Sequence, residues 1–191
     1  MSTDFKTFNN DKRSEFIAEL GLDEHLTKEL KLQQTSIEIV NHLISQNMQD
    51  AAINFIAMGL PKRQAAWWGL LAAKKIDAEK ADVNTQNALK ISEQWIRNPS
   101  EELRRQAKDL ADVLDLYSPA AWLAISIFWS GDNIAPLGKT SVSPGEHMSA
   151  MGITACINSA LETSSIDQRI ALHKYFIKQG MHIAMGGNGQ I

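Results

Sequence analysis

The sequence predicts an all-α protein, folded as a single compact bundle of about eight or nine helices with one long Gly/Pro loop near residues 131–145. Apolar residues recur at intervals of three and four along most of the 191-residue chain, and no segment alternates with the period of a β-strand. Hydrophobic residues make up 44% and charged residues 21% of the chain, a balance typical of globular proteins. A chain of this length is expected to form one domain with a sizeable core.

The first part of the chain divides into an N-terminal segment and the start of the main domain. Residues 1–33 are amphipathic, with a helix predicted over 11–20 that ends at Gly21, and the sequence leaves open whether this segment docks on the domain. The domain is predicted over 34–186. Thr35 and Glu38 have the spacing of a capping box, and a further helix is expected over 50–58.

Proline and tryptophan characterise the next helices. Pro61 is expected in the first turn of a helix over 61–76, in which Trp67 and Trp68 point about 100° apart. One indole should therefore pack inward while the other faces a groove or another helix. A helix follows over 83–97, and Asn98 is then expected to cap the helix that continues to Leu114.

The last third of the chain contains the predicted centre of the bundle. The helix over 118–129 is apolar all round, which is typical of a central helix. After the 131–145 loop, Ser143 and Glu146 have capping-box spacing, and small residues recur behind them at Gly152, Cys156 and Ala160, so another helix should approach closely. A final helix is expected over 165–185, with a frayed tail at 187–191.

Composition excludes several classes of function. The single cysteine, Cys156, allows neither an intramolecular disulfide nor a cysteine-based zinc site. The net charge is −3 and the basic residues form no dominant patch, so no nucleic-acid partner is predicted. No apolar run reaches the ~20 residues of a membrane span, and the N-terminus lacks a secretory signal. We expect a cytoplasmic protein.

No catalytic constellation is evident in the sequence. Glu146 and His147 beside Asp132 are the only acid/base candidates, and the sequence indicates neither a third group nor a pocket for them. The histidines lack metal-binding spacing, and Gly138-Lys139-Thr140 lacks the first glycine of a phosphate-binding loop. We therefore predict no catalytic, metal-binding or cofactor-binding residue, no cofactor and no enzyme activity.

Aromatic side chains beside the Gly/Pro loop are the best candidates for contact with a partner. The chain has five tryptophans, and indoles are frequent anchors of protein interfaces. The same indoles would equally serve to fill the core and fix the loop. The candidate partner-binding residues are Trp67, Trp68, Trp129, Gly131, Asp132, Asn133 and Pro136.

Several segments resemble one family. The specific ones are Leu60–Trp68, with its paired tryptophans, and Phe128–Gly131. Trp95 with Asn98–Ser100, Ser118–Trp122 and Ala135-Pro136 also match, and Phe176–Ala184 matches more weakly. Over about residues 57–186 the chain is similar to bacterial proteins known only as a domain of unknown function, often encoded beside type VI secretion genes. Family members continue with Gly-Ser and a proline-rich stretch, where this chain has Asp132-Asn133. The resemblance implies no catalytic residue.

The leading functional prediction is a non-enzymatic accessory or adaptor protein that binds another protein, in the setting of type VI secretion. A helical small-molecule-binding domain with a pocket under the 131–145 loop is one alternative. An immunity-type protein that binds a toxin through an acidic face is another, suggested only by Asp109, Asp112, Asp115 and Asp132. The sequence leaves the partner and the oligomeric state open.

Overall fold

A computed structural model of the chain describes residues 4–77, 82–162 and 164–191, with only the backbone of Asp77. Across these ranges the chain is helical and contains no β-strand, which confirms the predicted all-α class. The ten α-helices are α1 (Arg13–Glu19), α2 (Glu24–Lys31), α3 (Ser36–Ser45), α4 (Gln49–Gly59), α5 (Lys62–Asp77), α6 (Val83–Arg97), α7 (Glu101–Ala111), α8 (Pro119–Trp129), α9 (Met148–Glu162) and α10 (Ile166–Ala184).

The predicted count of eight or nine helices is slightly low because α2 is a helix of its own. The Asp23 side chain accepts a hydrogen bond from the backbone N–H of Leu26 at 2.9 Å and so caps the first turn. Leu26 and Leu30, one turn apart, are both buried. The amphipathic pattern assigned to residues 1–33 as a whole therefore contains two α-helices.

The apolar helix α8 lies at the centre of the bundle, as predicted, and packs against α5, α6, α7 and α9. At its interface with α9, a Cβ added to Gly152 would lie 2.9 Å from Cα of Ser126, so the two helices approach closely. The hydroxyl of Ser126 also donates to the backbone carbonyl of Ser149 at 2.7 Å. The predicted close approach of another helix is confirmed at Gly152.

The N-terminal segment is docked on the bundle. Phe8 lies between Phe5 and Phe55, with ring centroids 5.3 Å away in both cases, and Phe16 meets Phe8 edge to face at 6.1 Å. These four rings are buried. Gly59 leaves the space for Phe8, because a Cβ there would fall 1.8 Å from the ring. Residues 4–33 thus contribute to the main core.

Both ends of the described chain are held on α10. The backbone N–H of Thr7 donates to the carbonyl of Ala184 at 3.0 Å. In the C-terminal tail, for which we predicted fraying, the Trp67 indole N–H donates to the carbonyl of Asn188 at 2.8 Å. Gln179 donates from its amide to the carbonyl of Gly189 at 3.0 Å. The tail is therefore in contact with α5 and α10.

Two predicted helix starts are wrong. Asn98 ends α6 by donating its N–H to the carbonyl of Gln94 at 2.9 Å, and Ser100 caps α7 instead. Helix α9 begins at Met148, so Ser143 and Glu146 form no capping box. Glu146 is thereby left to pair with Lys12 of the N-terminal segment.

Candidate functional site

The loop between α8 and α9 is fixed to α7 by a buried arginine, Arg104. Its side chain is only 4% exposed and pairs with both carboxylate oxygens of Glu101 at 2.7 Å. The guanidinium also donates to the carbonyl of Phe128 at the end of α8, and to that of Asn133 in the loop at 2.7 Å. Hydrogen bonds from Arg104 lower the pKa of Glu101 to about 2, so this carboxylate is charged throughout the neutral range.

Arg105 adds a second brace from the next position of α7. It donates to the carbonyl of Ala135 at 2.6 Å and to that of Asn133 at 3.1 Å, and it also pairs with Glu101. Gly131 allows the Arg104 side chain to lie close to the loop backbone, because a Cβ at position 131 would lie 2.6 Å from Nε of Arg104. Two adjacent arginines therefore anchor the loop at Asn133 and Ala135 and contact the end of α8 at Phe128.

The distal part of the loop is closed on itself. The Asn133 side-chain oxygen accepts hydrogen bonds from the N–H groups of Ala135, at 2.9 Å, and Val142, at 3.0 Å. The N–H of Ile134 donates to the carbonyl of Val142 at 2.8 Å. Residues 135–142 consequently form a tip whose base is closed by hydrogen bonds to Asn133 and Ile134, and Gly138 turns the tip with a φ of +78°.

The tip presents aliphatic side chains to solvent. Leu137 is 80% exposed and Val142 is 51% exposed, while Pro136 and Lys139 are also exposed. Sequence reasoning missed Leu137, Arg104 and Arg105. In the sequence, both arginines have only the spacing from Glu101 that is common for ion pairs within a helix. The backbone carbonyls to which they donate belong to a loop more than twenty residues away.

The structure separates the predicted partner-binding residues. Trp68 is fully buried and donates its indole N–H to the carbonyl of Phe176 at 3.0 Å, so it cannot contact a partner in this conformation. Trp67 is partly exposed, and its hydrogen bond joins it to the tail rather than to the loop. Trp129 is also partly exposed and directly precedes the loop. The predicted division of the paired indoles into one inward ring and one outer ring is confirmed.

The predicted loop residues differ in role. Gly131 and Asn133 are structural, since both accommodate the arginine braces and the loop closure described above. Asp132 and Pro136 are exposed and accessible. The acidic group proposed for toxin binding is partly paired, because Asp112 forms an ion pair with Lys108 and Asp115 accepts a hydrogen bond from the N–H of Tyr117. Of these two contacts, only the ion pair with Lys108 offsets negative charge in the group.

A separate polar cluster lies where the N-terminal segment meets the start of α9. Nε2 of His147 is 3.2 Å from a Glu15 carboxylate oxygen, and Lys12 pairs with both Glu15 and Glu146. The hydrogen bond from Lys12 lowers the pKa of Glu146. Glu146 and His147 line a cavity of about 160 Å³, and none of residues 131–145 does. Asp132 is therefore outside the acid/base cluster that the sequence suggested.

Comparison with known protein families gives one match. Residues 39–184, well over half of the sequence, match the model of a family of unknown function, DUF6931. The chain belongs to the DUF6931 family. No curated protein and no solved structure matches it significantly. Among the helices that the structure describes, none has the length and apolar character needed to cross a membrane.

The DUF6931 match begins inside α3 and leaves the N-terminal segment outside. The braced loop, with Arg104, Arg105 and Leu137, lies entirely within the matched range. The polar cluster does not, because Lys12 and Glu15 precede residue 39 while their partners follow it. The two sites thus have different relations to the family: one is built from the matched region alone, and the other requires the segment before it.

Proposed function

We propose that this DUF6931 protein is a non-enzymatic adaptor that binds another protein through the tip of its braced loop, residues 135–142. The observation that carries the proposal is the presentation of Leu137, 80% exposed, on a loop closed by its own hydrogen bonds and anchored by buried arginine. A loop fixed in advance loses little conformational entropy on binding, which favours its use in recognition.

The chemistry of the tip indicates the surface it fits. Leu137, Val142 and Pro136 would enter an apolar pocket, and the exposed Lys139 would face an acidic rim. Trp129, partly exposed at the base of the loop, would extend this contact. Trp68 is no longer a candidate, because its ring is enclosed by the core.

A partner from a type VI secretion system is also part of the proposal. This part rests solely on the resemblance of segments such as Leu60–Trp68 and Phe128–Gly131 to bacterial proteins encoded near those genes. The assignment to type VI secretion can be wrong even if the loop binds a partner. The geometry of the tip indicates the chemistry of the partner's surface and not its biological setting.

Site-specific photo-crosslinking tests the loop. A photoreactive side chain at position 137 should capture a partner in host cells, and Leu32 provides a matched control because it is also 80% exposed and lies outside the helices. With the purified partner, Leu137→Asp should raise the Kd at least about tenfold, which is 1.4 kcal/mol. Leu32→Asp should leave the Kd unchanged.

Two results would reject the adaptor hypothesis in this form. One is capture of the same proteins from positions 137 and 32, which indicates non-specific contact. The other is an unchanged Kd for Leu137→Asp in a correctly folded protein. A captured partner unrelated to secretion would remove the type VI setting and leave the loop as the binding element.

A second candidate function is favoured by one observation, the cavity of about 160 Å³ beside Lys12, Glu146 and His147. A small-ligand-binding domain would use this cavity rather than a pocket under residues 131–145. Thermal melts against a metabolite collection test this function, since a ligand that binds the folded state raises the Tm. If no compound in the collection raises the Tm, the ligand-binding function is rejected and the adaptor function remains.

A further inference from the structure

The polar cluster brings together three possible metal ligands from two distant parts of the chain. Glu15 comes from α1, and Glu146 and His147 come from the end of the long loop before α9. One donor atom of each residue lies within 4.8 Å of the others. Glu15 and His147 are far apart in the sequence. The three side chains come together because the N-terminal segment docks on the bundle.

We propose that Glu15, Glu146 and His147 form a binding site for a divalent metal ion, with Zn²⁺ as the preferred ion. One imidazole nitrogen and two carboxylate oxygens form a donor set that zinc accepts. Two ligands at about 2.1 Å from a tetrahedral ion lie roughly 3.4 Å apart. The observed 3.2 Å between His147 and Glu15 is close to this spacing, and Glu146 would close the set by a small side-chain rotation.

A cation already lies between these carboxylates. The Lys12 ammonium contacts Glu146 and lies 3.7 Å from Glu15, so the side chains are arranged around positive charge. The Lys12 side chain is 40% exposed and flexible, which lets it swing into solvent when a divalent ion takes its place. Lys12 thus competes with the metal and keeps the affinity of the site moderate.

Two features of the surroundings favour metal binding at this site. The His147 side chain is only 17% exposed, and the Phe16 ring meets it edge to face at a centroid distance of 5.9 Å, which restricts rotation of the imidazole. Glu146 and His147 also line the cavity described above. Three protein ligands leave a fourth coordination position for water or a small ligand, and this cavity has room for it.

The chain offers two internal controls. His173 lies 3.2 Å from Asp50, the same distance as His147 from Glu15, but among the described residues no third ligand completes a group there. Glu29 lies between His25, at 3.6 Å, and His42, at 3.2 Å. A metal ion that binds any pair of histidine and carboxylate would also bind at these positions, whereas binding at the proposed site requires His147.

Calorimetric titration of the full chelator-treated chain with ZnCl₂ tests the proposal. We expect one equivalent to bind, His147→Gln and Glu15→Gln each to weaken binding about tenfold or more, and His173→Gln to leave it unchanged. Lys12→Met should tighten binding about tenfold, because the metal then does not have to displace an ammonium from the Glu15 and Glu146 carboxylates. Circular dichroism of each metal-free variant establishes that it is folded.

The opposite pattern would overturn the site. Loss of zinc binding in His42→Gln but not in His147→Gln would place the metal at Glu29. Failure of both the wild-type chain and the Lys12→Met variant to bind zinc with a Kd below about 0.1 mM, roughly the weak end of specific binding, would exclude it. If His147→Gln fails to fold, Glu15→Gln and Lys12→Met still decide, since they must change the affinity in opposite directions.

Discussion

Replacement of Arg104 by methionine should destabilise the protein by about 2–4 kcal/mol. Methionine retains the packing against Phe128, whose ring centroid is 5.1 Å from the guanidinium, but leaves the Phe128 carbonyl without its donor. Hydrogen bonds to a charged group contribute about 1.5–3 kcal/mol each, and the Asn133 carbonyl keeps a bond from Arg105. Glu101 is 58% exposed, so its carboxylate returns to water and its pairing adds little.

Thermal unfolding and amide hydrogen exchange measure this effect. A loss of about 2–4 kcal/mol corresponds to a fall in Tm of about 4–16 °C for a chain of this size. The N–H groups of Ile134 and Val142, which close the loop, should exchange faster in the variant. Arg97→Met is the control, because Arg97 is 73% exposed and its ion pair should contribute less than about 1 kcal/mol. An Arg104→Met variant within about 1 kcal/mol of wild type, with unchanged exchange in the loop, would refute the brace.

Three further changes test other features of the structure. Gly59→Ala should expel the Phe8 ring and lower the free energy of unfolding in urea by about 2–4 kcal/mol, whereas Gly145→Ala, with its nearest contact at 3.4 Å, should be neutral. Glu101→Gln should flatten the acid dependence of stability: the lowered pKa of Glu101 means that the folded state binds fewer protons than the unfolded chain, so wild-type stability falls as pH drops from about 4.5 towards about 2. Gly152→Val should force α9 away from α8 and cost about 2–4 kcal/mol in thermal melts, and an increase in Tm would contradict the close approach.

The fold was largely predictable because its signals are local. Periodicity identified the helices, the all-apolar sequence of α8 predicted its central position, and the row at Gly152 predicted a close helix pair. The capping box at Thr35 and Glu38 is present with both of its hydrogen bonds. Helix α2 was missed because a short amphipathic helix in a segment of uncertain docking resembles the rest of that segment.

The candidate sites were harder to predict because they depend on tertiary contacts. Arg104 looks like any helix arginine with a glutamate three residues earlier, and only the fold reveals that its guanidinium meets backbone carbonyls of a distant loop. Glu146 was assigned to a helix cap on spacing alone. Its actual partner, Lys12, lies 134 positions away, and no local pattern records that contact.

The hydrogen bond between Thr7 and Ala184 has a consequence for synthesis on the ribosome. Thr7 acquires this backbone partner only after α10 has been translated, on the order of ten to thirty seconds after Thr7 itself at about 5–20 residues per second. During that interval the Phe8 ring can pack only on partners that precede α10, among them Phe5, Phe16 and Phe55. A nascent chain stalled before α10 should therefore be a preferred substrate for chaperones that bind exposed aromatic segments.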